Sequence, residues 1–510
     1  MQRNILEYLE HTVCRVPDKI ALSAEDGELT FRDVYAQARS IGTKMIRDGN
    51  YKQPIVVFMK KHPKTITAFL GAIYAGCYYV PLDADMPLYR IELILKNLNP
   101  AACICDDTTF SIAKELNNIG RLYIYDEIAT EEIDDAALRS VRDRQIDTDP
   151  VYIVFTSGST GIPKGVVGCH RAVIDYIENL CEVLKFDEDT VFGNQTPLYF
   201  DACLKEIIPT LKYGATTHLI PRKLFLLPVK LVEYLNEKKI NTLCWVVSAL
   251  TYISSFKTFD TVIPQHIKTI AFASEVFPVR QLNLWREGLP QTKLVQIYGS
   301  TETVFSTQYE VERVLEPGEQ LPIGCSCLHT EVILVNEDGR EITEPGMVGE
   351  LYVRGHLALG YWNAPDETRK AFVQNPLHNL YPERVYRTGD FAMLNEKGEL
   401  LFCGRKDSQI KHMGHRVEIG DIEAAAMNVP DLRRCCVIYD SDKKQLVMFY
   451  EAGQEISVKQ IRSVMGEQLP SQMIPHVYLH YTNFPKNQNG KIDRRILQEE
   501  YEKSKVERKN

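Results

Sequence analysis

The sequence contains no stretch reaching the ~18 consecutive apolar residues that a bilayer-spanning helix needs, which argues against a transmembrane anchor. It has no cysteine pair at the CxxC spacing of a zinc ribbon. Its 13 cysteines are scattered, with Cys435 and Cys436 adjacent and Cys325 and Cys327 one residue apart, a usage that suits reduced thiols in the cytoplasm. Positive charge is not in excess: 59 Lys+Arg against 68 Asp+Glu leave a net charge of -9. Such a balance provides no global pull toward nucleic acid or anionic lipid, so any phosphate binding must be local. Internal repeats and low-complexity linkers are also missing, which excludes fibrous and largely disordered architectures. The first residues interleave apolar Ile5, Leu6, Tyr8, Leu9 and Val13 with charges at helical spacing, unlike the uninterrupted core of a signal peptide. The expectation is a soluble, cytoplasmic protein with no nucleic-acid or membrane partner.

What is present is enough chain for several domains: 510 residues, 45% hydrophobic and 25% charged. Short apolar, β-branched runs at 55–58, 151–155, 242–247, 269–273 and 294–297 alternate with helical patterns, which predicts an α/β protein with largely parallel, buried sheets. From about residue 331 the texture changes to hairpin-like strands with turn signals at Glu337-Asp338-Gly339. After Gly404-Arg405-Lys406-Asp407 the chain becomes charged, then resumes with a helical stretch at 418–428 and strands at 435–439 and 446–450. The fold expected is therefore a large N-terminal α/β domain of stacked sheets with a β-rich subdomain, residues 1–406, followed by a small α+β domain, residues 407–510.

Directly after the strand VYIVF comes Thr156-Ser157-Gly158-Ser159-Thr160-Gly161-Ile162-Pro163-Lys164-Gly165. Glycines let the backbone approach an anion, hydroxyls donate hydrogen bonds and Lys164 adds a mobile charge, which together make a phosphate clamp. It is not a Walker A loop, because Pro163 and Gly165 flank the lysine where that motif requires Gly and Ser/Thr.

The order TSGSTGIPKG resembles the signature of the adenylate-forming superfamily, which includes the amino-acid adenylation domains of peptide synthetases, acyl- and aryl-CoA ligases and luciferases. Further segments similar to that family follow in its order: AGCYYVPL from Ala75, YGSTE from Tyr298, GELYVRG from Gly349, YRTGD from Tyr386, GRKD from Gly404 and NGKIDR from Asn489. They span nearly the whole chain.

The resemblance implies ATP and Mg²⁺ as cofactors and assigns roles. Thr156, Ser157, Gly158 and Thr160 would cradle phosphate, with Lys164 as a catalytic cation. Tyr298 would stack on adenine, with Gly299 and Ser300 in its loop; Thr301 would contact the α-phosphate, and Glu302 would ligate the metal. Asp390 would accept hydrogen bonds from both ribose hydroxyls, and Arg405 would touch the ribose. Gln296 stands where an Asn often reads adenine, its amide extended by one methylene. Ser300 replaces the common Pro of YGPTE. Lys491 would be the central catalytic residue, reaching into the site from a mobile C-terminal lid that swings about a hinge at Asp407. A carboxylate attacking an anionic phosphorus meets like-charge repulsion that a placed ammonium offsets. After the swing, the loop Lys411–Arg416 would face a thiol-bearing acceptor.

Phe200-Asp201-Ala202 resembles the motif whose Asp binds a substrate α-ammonium, although Asp201 read alone could equally cap the following helix. Aligned with the family, the pocket comprises Asp201, Ala202, Lys205, Cys244, Ala271, Ala273, Ile297, Phe305, Ser306 and Lys491. Lys205, four residues after Asp201, could face a substrate carboxylate, pair with Asp201 or snorkel outward. Acidic, apolar and D-alanine substrates all stay open. The implied activity is ATP-dependent formation of an aminoacyl-AMP, then transfer to the phosphopantetheine thiol of a carrier protein. The short tail after Lys491 has no room for a carrier domain, so the expectation is a monomer, free-standing or excised, that loads its carrier in trans. The alternatives are an acid–CoA ligase and a catalytically silent amino-acid-binding protein.

Overall fold

The apolar runs become sheet interiors. Pro54–Phe58 and Tyr78–Leu82 are buried along their full lengths and pair in parallel. A parallel strand covered on both faces needs apolar side chains pointing both ways, and PIVVF supplies them. The computed structural model describes residues 2–156, 163–316, 318–405, 409–485, 492 and 494–507. Within them these two strands are central to a seven-stranded sheet, ordered in space Gly360–Tyr361, Lys164–Cys169, Pro150–Thr156, Tyr78–Leu82, Pro54–Phe58, Ala102–Cys105 and Arg121–Ile124.

A nine-stranded sheet is ordered Cys325–Ser326, Thr307–Glu310, Lys293–Tyr298, Thr269–Ala273, Thr242–Val246, Val191–Asn194, Thr216–Leu219, Ile20–Ala24 and Gly27–Thr30. Neighbours from Lys293–Tyr298 to Ile20–Ala24 run parallel, and antiparallel strands flank that block. Strand alternation then divides the side chains. Cys244, Ala271, Ala273, Val295 and Ile297 join the main core, which also takes in Ile55 and Val57 of the other large sheet, whereas Trp245, Phe272 and Leu294 join a second core on the opposite face. The run 242–247 is not one strand. The strand stops at Val246, and Val247 begins the helix Val247–Ser255, a change that a continuous apolar run cannot signal.

The β-rich region is antiparallel throughout: Glu331–Val335, Val348–Arg354, Arg384–Leu394 and Phe372–Gln374 in order, with Leu400–Arg405 also paired to Arg384–Leu394. Its register sets Asp390 opposite Arg405.

The chain divides into two compact units, one of residues 1–84, 95–155 and 164–406, the other of residues 85–94, 156–163 and 407–510. In the second, Gln409–His412 and His415–Glu418 form a hairpin whose turn residues, Met413 and Gly414, both have positive φ. A three-stranded sheet of Leu432–Asp440, Gln445–Ala452 and Val477–Tyr481 follows, and Ile422, Val437, Met448, Ile461 and Met465 are buried together in this unit's core.

Candidate active site

The parallel strand Lys293–Tyr298 delivers its C-terminal end to a tight loop, the end at which open α/β sheets bind ligands. Val304 N donates to Ser300 O at 2.6 Å, and Ser306 N returns to Tyr298 O at 2.8 Å. Gly299 is required there, because a Cβ would lie 2.3 Å from Val304 O. The buried Tyr298 hydroxyl donates to Oδ2 of Asp390 at 2.6 Å, while Arg405 donates to Oδ1 at 2.5 Å. A carboxylate offers about four acceptor positions, so two remain for other donors. Two positions earlier, Gln296 is buried with its Oε1 unpartnered among the described residues. An unused acceptor beside an aromatic ring and a buried carboxylate fits the amino edge, base and sugar of an adenine nucleotide.

Glu302, on the same loop, is 1% exposed. Its Oε1 accepts from the Tyr361 hydroxyl at 2.7 Å, and its backbone oxygen from Ala358 N at 2.8 Å. The short strand Gly360–Tyr361 pairs antiparallel with Lys164–Cys169, which sets the Lys164 ammonium 5.8 Å from the Tyr361 ring centre. Gly165 owes its identity to packing: a Cβ there would meet Ile153 at 2.7 Å. Among the described residues no three His, Cys, Asp or Glu side chains cluster to hold a metal. A lone buried carboxylate still fits Mg²⁺, which keeps several waters and commonly takes one or two carboxylates together with substrate phosphates.

Asp201 is the first residue of the short helix Asp201–Cys203, whose N-cap position is held by Phe200. Its Oδ1 accepts from the Thr301 hydroxyl at 3.0 Å, tying it to the Glu302 loop. Burial pushes its carboxyl pKa up, and Lys205 and the Thr301 hydrogen bond oppose the shift. Lys205, on the helix Leu204–Tyr213, is 7% exposed. Ala202 is half-buried beside Asp201, while Cys244, Ala271, Ala273, Ile297, Phe305 and Ser306 are all buried. Except for Ser306, which is polar, these six belong to the main core.

Next to Lys205 in sequence, Glu206 belongs to a polar network with Asn194 and Lys61. The Lys61 ammonium donates to the carbonyls of Asn194 and Gln195 at 2.9 and 3.1 Å, and the Asn194 amide donates to Glu206 Oε2. Burial raises the Glu206 pKa and lowers that of Lys61, and the attraction between the two charges opposes both shifts. The signal for Glu206 was its position in LKEIIPTL, on the buried face of a helix beside Ile207 and Thr210. Nothing in the sequence marked Tyr361. Thr156 closes the strand Pro150–Thr156 and is buried. Ser157, Gly158, Thr160, Asp407 and Lys491 lie outside the described residues.

Residues 9–362 match the AMP-binding enzyme family. The L-proline–L-prolyl-carrier protein ligase of Streptomyces coelicolor is 30% identical over 498 residues, covering 92% of this chain and 91% of the relative. Tyrocidine synthase 1 of Brevibacillus parabrevis is 28% identical over 98% of this chain, which spans only 45% of that synthase. The structure of holo-PA1221, a protein containing adenylation and PCP domains bound to a vinylsulfonamide inhibitor, superposes with a TM-score of 0.82 at 24% identity, over 97% of this chain and 84% of the other. The chain belongs to the AMP-binding enzyme family, and its mixed α/β fold is that of adenylation-domain structures.

Proposed function

We propose that the protein activates an amino acid with ATP and passes it to the phosphopantetheine thiol of a separate carrier protein. The observation that carries this reading is the bond between Thr301 and Asp201, which joins a half-buried carboxylate suited to an α-ammonium to the loop bearing Glu302. A carboxylic acid without an amine would close over that carboxylate without offering it a cation. The two similar proteins whose names mention a carrier or PCP domain support the second half of the reaction.

In the first half-reaction, a substrate carboxylate oxygen attacks the α-phosphorus of ATP; the new P–O bond gives aminoacyl-AMP, and the bond to pyrophosphate breaks. Asp201 fixes the ammonium, Tyr298 and Gln296 receive the base, Asp390 takes the ribose hydroxyls, and Thr301 and Lys164 meet phosphate oxygens. Mg²⁺, when bound, neutralises charge on those oxygens, and Glu302 is the residue that would hold it. Lys491 supplies the ammonium between substrate carboxylate and α-phosphate. In the second half-reaction, the carrier thiolate attacks the acyl carbon and AMP leaves. Residues 1–406 form the adenylating core in this reading, and residues 407–510 the lid that carries Lys491 about a hinge at Asp407. We place the enzyme in the cytoplasm, supported by its 13 free cysteines and by the lack of any helix among the described residues long and apolar enough to cross a membrane.

The test is ATP–pyrophosphate exchange with each proteinogenic amino acid and D-alanine. Exchange dependent on an amino acid is expected. Binding of amino acids without exchange would indicate a silent binding protein, and abundant CoA thioesters of non-amino acids would indicate an acid–CoA ligase.

A further inference from the structure

Three fates were open to Lys205 on spacing alone, and the structure removes two of them. At 7% exposure it does not reach outward into solvent. It makes no ion pair with Asp201 within 4 Å, nor any hydrogen bond, among the described residues. The neighbouring acids have other partners: Asp201 accepts from Thr301 at 3.0 Å, and Glu206 accepts from Asn194, whose carbonyl takes the Lys61 ammonium. Lys61 and Glu206 balance one another, leaving Asp201 and Lys205 as a second, separated pair of opposite charges one helical turn apart.

We propose that the substrate is an acidic amino acid, its α-ammonium on Asp201 and its side-chain carboxylate on Lys205. The inference rests on the amino-acid-activating reading above and names the substrate class for that site. A neutral amino acid would neutralise Asp201 with its ammonium and leave Lys205 a buried cation whose other nearby acid, Glu206, is already matched to Lys61, which is costly. A side-chain carboxylate completes both pairs with charge-assisted hydrogen bonds. Burial draws the pKa of Lys205 down and the field of Asp201 opposes that shift, so a second carboxylate would favour the charged form. The neighbouring strand residues are small. Cys244 and its strand partner Ala271 are both buried in the main core with Ala273, so this part of the sheet carries small side chains.

Pyrophosphate exchange on the full chain decides. Glutamate or aspartate is expected to exceed glutamine, asparagine and every neutral amino acid by at least about tenfold in kcat/KM, the factor that a charge-assisted hydrogen bond provides. Lys205→Met should lower kcat/KM for the acid by a similar factor and bring the acid and its amide level, whereas Lys205→Arg should keep the preference for the acid. A neutral amino acid preferred by the unaltered enzyme overturns this inference and leaves amino-acid activation standing; that comparison needs no variant to fold. An unchanged acid preference in Lys205→Met also overturns it. If no amino acid supports exchange, the activating reading fails and this one with it.

Discussion

The hydroxyl of Tyr361 donates to Oε1 of Glu302 at 2.7 Å, so a residue of a two-residue edge strand fixes the carboxylate assigned to the metal. That strand is itself anchored: Leu359 N donates to Val167 O at 2.8 Å and Trp362 N to Gly165 O at 2.7 Å. Orientation of Glu302 is thereby coupled to the strand that begins at Lys164.

Removing the hydroxyl should free the carboxylate to rotate. Tyr361→Phe is expected to raise the Mg²⁺ concentration needed for half-maximal exchange and to slow exchange roughly tenfold, the scale of one hydrogen bond to a charged group. Titration of exchange rate against Mg²⁺ checks this. A variant with reduced rate but an unaltered Mg²⁺ requirement would assign Tyr361 a packing role only.

Lys491→Ala should reduce aminoacyl-AMP formation by at least about a hundredfold, as expected for loss of a positioned electrostatic donor. Transfer from a supplied aminoacyl-adenylate to a thiol should be spared, because the proposed role of the lysine belongs to the adenylation step alone. Single-turnover assays of each half-reaction separate the two. Equal loss in both would refute the division of labour between two lid positions.

Asp201→Ala should cost amino acids roughly 1.5–3 kcal/mol of binding while tolerating acids of the same shape that lack the amine. Competition of each against exchange, or direct calorimetry, reads the difference. If the ratio of the two affinities does not move, Asp201 does not bind the ammonium. The loss of Thr301's acceptor makes a Thr301→Val control necessary, and this variant should leave the ratio intact.

Most of the architecture was legible because buried parallel strands advertise themselves. PIVVF and TIAFA have no other reasonable destination than a sheet covered on both faces. The motif residues were legible as types and spacings, but spacing could not reveal that a strand register sets Asp390 opposite Arg405, nor that the Tyr298 hydroxyl, 92 positions away, donates to Asp390. Tyr361 was invisible for the same reason: its partner lies 59 positions away, and LGYW carries no periodic signal. Lys61 and Glu206 escaped notice because charged residues are ordinarily surface residues, and only the folded helix shows Glu206 to be fully buried.

His170 begins the helix His170–Leu184, is fully buried, and accepts at Nδ1 from Ile5 N–H at 3.2 Å. Burial first, and then the charge of Arg142, pull its pKa down to about 3. A histidine whose folded pKa lies below its unfolded value contributes full stability above about pH 6.5 and loses it as pH falls toward the folded value. Between pH 7.5 and pH 5 this one group should therefore cost the folded state about 2 kcal/mol, at ~1.4 kcal/mol for each unit travelled below 6.5. Asparagine keeps an acceptor for Ile5 but does not titrate, so His170→Asn should lose less stability over the same interval, by about 2 kcal/mol, even if it starts lower at pH 7.5 from imperfect packing. Urea unfolding of both proteins at the two pH values isolates the difference, since every other titrating group is common to them. Parallel losses would mean that the imidazole protonates in place, with the N terminus releasing Ile5 to accommodate it.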